Sequence, residues 1–301
     1  MNEMIAFHPI YVHKLPENHR FPMDKYDLLP RHLLHEGTVD QAHFFEPVKL
    51  KDEYAEAVHE KKYLERLKNL ELSKKEQRVS GFIHNETLIK REWTIMEGTR
   101  MAAEKALVHS IAFNIAGGTH HAFADRGEGF CLLNDHVIAS HWLLKNNKAQ
   151  NILIIDLDVH QGNGTAAMCA NEPNIFTFSM HGKNNYPLHK QISDLDFEAE
   201  DGIKDKSYLY ELEKSLDHIV KSFHPDFIFY QAGVDVLESD KLGRLGLSLS
   251  GCKKRDEIVF EFSKQLNCPI VTTMGGGYSK EINTIVEAHA NTYRCGYDIR
   301  D

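Results

Sequence analysis

Four short apolar runs in the second half of the chain constrain its fold more than any other feature: residues 151–159 (NILIIDLDV), 174–179 (NIFTFS), 226–231 (DFIFYQ) and 269–273 (PIVTT). Each is aliphatic or aromatic and rich in β-branched residues. Such runs form strands covered on both faces. Between them, residues 133–146, 164–170, 206–223, 251–266 and 279–293 have helical composition and spacing. Strand, helix and strand in succession imply crossovers between parallel neighbours. The expected fold is therefore α/β, a three-layer sandwich with a mainly parallel central sheet.

The first half is less regular. It offers a short strand at 4–7, an apolar helix at 26–34, a charged helical region at 52–77 and a longer helix at 86–114. The acidic stretch 193–205 reads as a solvated loop rather than a metal site. No repeat, low-complexity tract or linker interrupts the 301 residues, so a single domain over 1–301 is expected.

Charge and cysteines narrow the function classes. With 35 basic and 44 acidic residues the net charge is -9, against a nucleic-acid binder, whose footprint is a basic stripe. No apolar run approaches a membrane span, and Glu3 and His8 interrupt the apolar N-terminal stretch, so neither a membrane nor a secretory route is expected. The expected compartment is the cytoplasm. Five scattered cysteines without a C-x-x-C suit reduced thiols, and the sequons at Asn85 and Asn163 then carry no glycan.

The chemistry concentrates where the first of these strands ends, in Ile155-Asp156-Leu157-Asp158-Val159-His160. On an extended chain Asp156, Asp158 and His160 share one face, and Ile155, Leu157 and Val159 the other. Ligands of open α/β sheets sit beyond the carboxyl ends of strands, and a cation there would offset the cost of burying charge. Imidazole and carboxylate donors suit zinc or iron(II), with a third ligand from elsewhere. Taken alone, Asp158 could cap the next helix and His160 could be a rim residue. Three further features shift the balance. Ala232-Gly233-Val234-Asp235 follows another strand and places Asp235 at the same sheet edge. Gly117-Gly118-Thr119-His120-His121-Ala122 is a glycine-rich loop placed after the 86–114 helix, and Met274-Gly275-Gly276-Gly277-Tyr278 follows a further strand.

With these motifs, and with HRFPM at 19–23, GEGFCLLND, DLDVHQGNGT and FSMHG, the chain resembles the histone deacetylase, acetoin-utilisation and acetylpolyamine amidohydrolase superfamily, with its arginase/deacetylase-like fold, from His19 to about Asn291. The Gln161-Gly162-Asn163-Gly164 variant and the HRFPM-x-KY start are similar to class IV and related bacterial proteins. The resemblance implies a zinc-dependent amidohydrolase that removes an acetyl or other acyl group from a lysine-type amine. Asp158, His160 and Asp235 would bind the metal, His120 and His121 would be the tandem histidines, and Asp156 would orient His120. Tyr278 would polarise the acyl carbonyl. Gly129 and Phe130, with Gly276 and Gly277, would line a narrow channel for the acyl-lysine. A monovalent cation such as K+ would bind through backbone carbonyls. The partner implied is an acylated lysine or other acylated amine.

Asn163 departs from the class I pattern, which has aspartate there, so the partner of His121 is neutral. His181 and Tyr186-Pro187 fall where relatives build the opposite channel wall, and no role is assigned to them. Gly162-Asn163-Gly164-Thr165-Ala166-Ala167 also fits a dinucleotide fingerprint, but the next strand ends in Met180-His181 without the required acid. A two-manganese ureohydrolase would need ligands where Gly275-Gly276-Gly277-Tyr278 stands. A catalytically silent acyl-lysine binder is the remaining rival. Acyl length, carrier and oligomeric state stay open at this level.

Overall fold

The computed structural model describes residues 3–299. Its centre is one eight-stranded sheet in the order β2-β1-β3-β8-β7-β4-β5-β6, with every neighbouring pair parallel. The strands are β1 (Ile5–Ala6), β2 (Phe44–Phe45), β3 (Ile111–Asn114), β4 (Ile152–Asp156), β5 (Ile175–Gly182), β6 (Leu195–Ala199), β7 (Phe227–Gln231) and β8 (Ile270–Thr273). The helices are α1 (Lys25–Glu36), α2 (Asp52–Ala55), α3 (Lys61–Lys68), α4 (Lys74–Ser80), α5 (Glu86–His109), α6 (Asp135–Lys145), α7 (Asn163–Cys169), α8 (Asp205–Ile219), α9 (Leu249–Leu266) and α10 (Ile282–Asp298). Among the described residues no helix is long and apolar enough to cross a membrane.

Strand periodicity divides the core into two layers. Leu153 and Ile155 of β4, with Ile228 and Tyr230 of β7, join a cluster built with α1, α8, α9 and α10. Ile152 and Ile154, with Phe227 and Phe229, face the opposite cluster, which holds Ala102, Ala103 and Ala106 of α5 and Trp142 and Leu143 of α6. Both faces of the sheet are thus apolar, which explains strands without polar alternation.

Four expectations are corrected. The helix expected over 86–114 starts on its Asn85 cap, whose side chain accepts from Leu88 N at 2.9 Å, but stops at His109. Ser110 turns left-handed at φ 67°, and Ile111–Asn114 leaves as the strand β3. The His120-His121 loop therefore follows a strand, not a helix. The acidic stretch 193–205, expected as a loop, contains the edge strand β6, while the charged region 52–77 is helical as expected, divided among α2, α3 and α4. Finally, β4 ends at Asp156, so Asp158 and His160 lie in the turn beyond it rather than in strand alternation.

Candidate active site

The strand ends are in register. Asn114, Thr273, Gln231, Asp156 and Ser179 pair in one row across β3, β8, β7, β4 and β5. Each of these residues is buried and polar, so the carboxyl edge of an otherwise apolar sheet becomes a hydrogen-bonding platform. Gln231 Nε2 donates to the carbonyl of Gly118 at 2.8 Å, and His136 Nε2 lies 2.9 Å from Thr273 Oγ1. The loop after β3 is tied down by Asp135 at the start of α6, which accepts from Gly118 N (3.0 Å), Thr119 N (2.8 Å) and Thr99 Oγ1 (2.7 Å). Gly117 and Gly118 take φ 80° and 73°, which lets the backbone turn tightly there.

That loop delivers two histidines with different partners. His120 Nδ1 is 2.6 Å from Asp156 Oδ2, and His121 Nδ1 is 2.7 Å from Asn163 Oδ1. Burial opposes charge on His120, but the Asp156 and Asp158 carboxylates outweigh it and raise its pKa. At His121 burial, then the neighbouring His120 and His160, hold the pKa well below the ordinary value; the hydrogen bond to Asn163 opposes them only weakly. An acceptor amide oxygen at Nδ1 leaves the Nε2 lone pair of a neutral His121 free.

Beside them stand Asp158, His160 and Asp235, all buried, with one donor atom from each lying within 4.8 Å of the others. His160 Nδ1 is 3.0 Å from Asp158 Oδ1 and 3.1 Å from Asp235 Oδ2. The remaining carboxylate oxygens are fixed from behind. Asp158 Oδ2 accepts from Gly276 N at 2.7 Å and Asp235 Oδ1 from Val159 N at 2.9 Å. Asp235 Oδ2 is buried and accepts no well-aligned hydrogen bond. Burial and the Asp158 charge push Asp235 up to about 7. At His160 burial works against the proton, yet the hydrogen bond to Asp158 and the close carboxylates of Asp158 and Asp235 carry it up to about 10. Two buried carboxylates around one imidazole thus draw positive charge into the site, and the donor set fits zinc or iron(II).

Tyr278 enters from the turn after β8, where Asp240 Oδ2 accepts its backbone N–H at 2.6 Å. Burial and the nearby Asp235 and Asp158 charges raise its pKa well above the ordinary value, so its hydroxyl stays a donor. A cavity of about 370 Å³ reaches His121, His160 and Tyr278 and is walled by Gly129, Phe130, Tyr186 and Leu242. A smaller space of about 40 Å³ lies beneath, against His120, Asp158 and Cys131. Gly129, at φ 52°, lies so close to the His121 ring that a Cβ would stand 2.6 Å from His121 Cδ2.

The sequence-predicted residues therefore converge, with one exception. Gly277 does not line the channel: it is buried against Val234 and Ile285, while Gly275 and Gly276 face the small space. Residues to which the sequence assigned no role also take part. Tyr186 stands edge-on to His121 at 5.0 Å, and its hydroxyl donates to Glu128 Oε2 at 2.7 Å. Lys25 is buried with its ammonium on the Gly275 carbonyl at 2.7 Å.

The Histone deacetylase domain matches residues 19–293. The chain belongs to the histone deacetylase family. Its similarity to an uncharacterised protein of Picosynechococcus is 40% identity over 295 residues, covering 98% of each chain. Histone deacetylase 2 of Arabidopsis thaliana is 29% identical over 277 residues, covering 89% of this chain and 72% of that one. Among solved structures, an HDAC homologue from Aquifex aeolicus superposes with a TM-score of 0.80 at 22% identity, covering 97% of this chain and 82% of that one. An HDAC homologue complexed with SAHA gives 0.81 at 23% identity, with 97% and 83% covered. These histone deacetylase folds confirm the arginase/deacetylase-like α/β architecture, and family membership makes the chain a deacetylase-type hydrolase acting on amide bonds.

Proposed function

We propose that this deacetylase is zinc-dependent and removes an acetyl group from an acylated lysine. The observation that supports it best is the convergence of Asp158, His160 and Asp235 beside His120, His121 and Tyr278 at the inner end of one channel. A divalent ion held by those three residues would polarise the amide carbonyl and acidify a water molecule. His121, backed by the neutral Asn163, would accept the water proton at Nε2. His120, backed by the Asp156 carboxylate, would hold a proton and pass it to the departing amine. The Tyr278 hydroxyl would donate to the oxygen as negative charge develops on it. The space of about 40 Å³ below the histidines suits the methyl of an acetyl group better than a long acyl chain. Phe130 and Gly129 would flank the lysine stem.

The test is hydrolysis of acetyl- and longer acyl-lysine peptides by protein stripped of metal and reloaded with zinc or iron(II). Acetyl-lysine cleavage restored by zinc is expected. Intact metal binding without turnover of any acyl-lysine would overturn the reading in favour of a silent binder.

A further inference from the structure

We infer that the channel mouth selects an acylated lysine lying in an acidic stretch of polypeptide, with Arg20 and Arg78 receiving its carboxylates. This rests on the lysine-deacetylase reading above and names the substrate class.

The chain as a whole is acidic, with 44 Asp and Glu residues and a net charge of -9, yet its mouth is basic. The channel cavity opens beside a second one of about 780 Å³, and the two share Arg20, Arg78, Gly81 and Phe130. Arg244 adds to the first and Lys74 and His19 to the second, while no Asp or Glu among the described residues lines either. Arg244 already pairs with Asp201 at 3.2 Å. Arg20 and Arg78 are exposed and have no ion pair or side-chain hydrogen bond among the described residues.

The two arginines are held there by the channel wall itself. Gly129 N donates to Val79 O at 3.1 Å and Phe130 N to Ser80 O at 2.8 Å, so the end of α4 that carries Arg78 is sewn to the wall. His19 Nε2 meets Gly81 O at 2.9 Å, and the His19 ring stacks on Phe82 at 5.7 Å, which fixes the base of Arg20. A guanidinium so placed recognises a carboxylate by bidentate hydrogen bonding.

The size and lining of the second cavity favour a polypeptide. On the lysine-deacetylase reading, a lysine side chain held between Gly129 and Phe130 would leave its α-carbon towards the mouth. Beyond it the groove offers Phe82, Ile83 and Pro16 as well as the cations, room for residues flanking the lysine. A free acylated amino acid would leave most of that groove empty. The further ammonium groups of a polyamine, like a lysine-rich tail, would face like charge.

The test uses three acetyl-lysine peptides matched in length, flanked by Asp and Glu, by Ser and Gly, or by Lys and Arg. At low salt the holoenzyme is expected to prefer the acidic over the neutral peptide in kcat/KM by roughly fivefold, as two exposed ion pairs would give. The preference should shrink with added salt. In the Arg20→Gln/Arg78→Gln protein the acidic-to-neutral ratio should fall towards one, and in Arg20→Lys/Arg78→Lys it should be largely kept. Equal rates on all three peptides, a preference for the basic one, or a ratio unmoved by the glutamine pair would overturn the inference. Free acetyl-lysine cleaved as well as the acidic peptide would overturn its polypeptide part. Fluorescence anisotropy with the same peptides reads the charge preference even if none is cleaved, a result that would instead sink the deacetylase reading.

Discussion

Lys25 and Gly275 stand 250 residues apart in the chain, and the lysine ammonium rests 2.7 Å from the glycine carbonyl inside the protein. Three aromatic rings, Phe21, Tyr26 and Tyr278, lie within 6 Å of that ammonium. Burial lowers its pKa to about 8, against the raising charges of Asp235 and Asp158. The bond clamps the turn that aims Tyr278, so Lys25 is a positioning residue. Lys25→Met should lower kcat by about tenfold through misplacement of the hydroxyl, with KM little changed. A raised KM at full kcat would show that the turn keeps its shape without the clamp.

Tyr278→Phe should retain fold and metal while lowering kcat by roughly 10² to 10³, the usual cost of one lost oxyanion donor. Steady-state kinetics at saturating peptide decides, since an unchanged kcat with raised KM would make Tyr278 a binding residue only.

Chelation should abolish activity and lower the melting temperature, because an ion that binds only the folded state stabilises it by mass action. Asp235→Ala should leave less than one ion per chain by elemental analysis. Full metal content and activity in that variant would refute the three-residue site.

How much of this was legible in the sequence depended on whether a residue's role is local. Asp156, Asp158 and His160 share a six-residue stretch, and Asp235 and Tyr278 each follow an apolar strand, so spacing exposed them. β3 was invisible because MAAEKALVH continues helically up to Ser110, and no glycine or proline marks the left-handed turn that ends the helix. Its four buried residues are too few for a period to show. Lys25 and Glu128 lie inside the HRFPM-x-KY and GEGFCLLND motifs, but the sequence shows no role for either, since their partners Gly275 and Tyr186 are distant in sequence. The basic mouth, too, comes from separate segments, and a net charge of -9 conceals it.

His59 gives the fold an acid-sensitive joint. Its Nδ1 is 3.0 Å from Phe123 O and its Nε2 3.0 Å from Asn134 N, so the ring must donate at one nitrogen and accept at the other, as only the neutral form can. Burial lowers its pKa to about 4. Between about pH 6.5 and 4 the unfolded chain binds the proton and the folded one does not. Stability is therefore full above that window and falls as pH drops through it, by up to about 1.4 kcal/mol per pH unit for this residue. His13 and His181, each also lowered to about 4 chiefly by burial, act in the same direction. Urea titrations at pH 7.5 and 5 should show a shallower acid loss in His59→Gln than in the parent, and equal losses would remove His59 from the account.

Asn163 explains its own departure from aspartate. It accepts from His121 Nδ1 at 2.7 Å through Oδ1 and turns its Nδ2 towards Glu128 Oε2 at 3.4 Å. Glu128 also receives the Tyr186 hydroxyl at 2.7 Å and, at its other oxygen, Arg126 Nε at 2.8 Å. An amide can serve both neighbours, accepting on one side and donating on the other. An aspartate at 163 would fix the His121 tautomer equally well but would meet the Glu128 carboxylate head-on. Asn163→Asp should accordingly bring a full charge to His121 and favour its imidazolium, raising the acidic-limb pKa of kcat/KM by about one unit or more. Activity near pH 6 should fall more than activity at pH 8, because the base would be protonated over a wider range. The limb belongs to a coupled histidine pair, so the shift is an apparent value. Adding Glu128→Gln to Asn163→Asp should relieve the repulsion and recover thermal stability while leaving the limb raised. A pH profile superimposable on the parent's, with fold and metal content intact, would reduce Asn163 to a residue of the Gly-Asn-Gly turn.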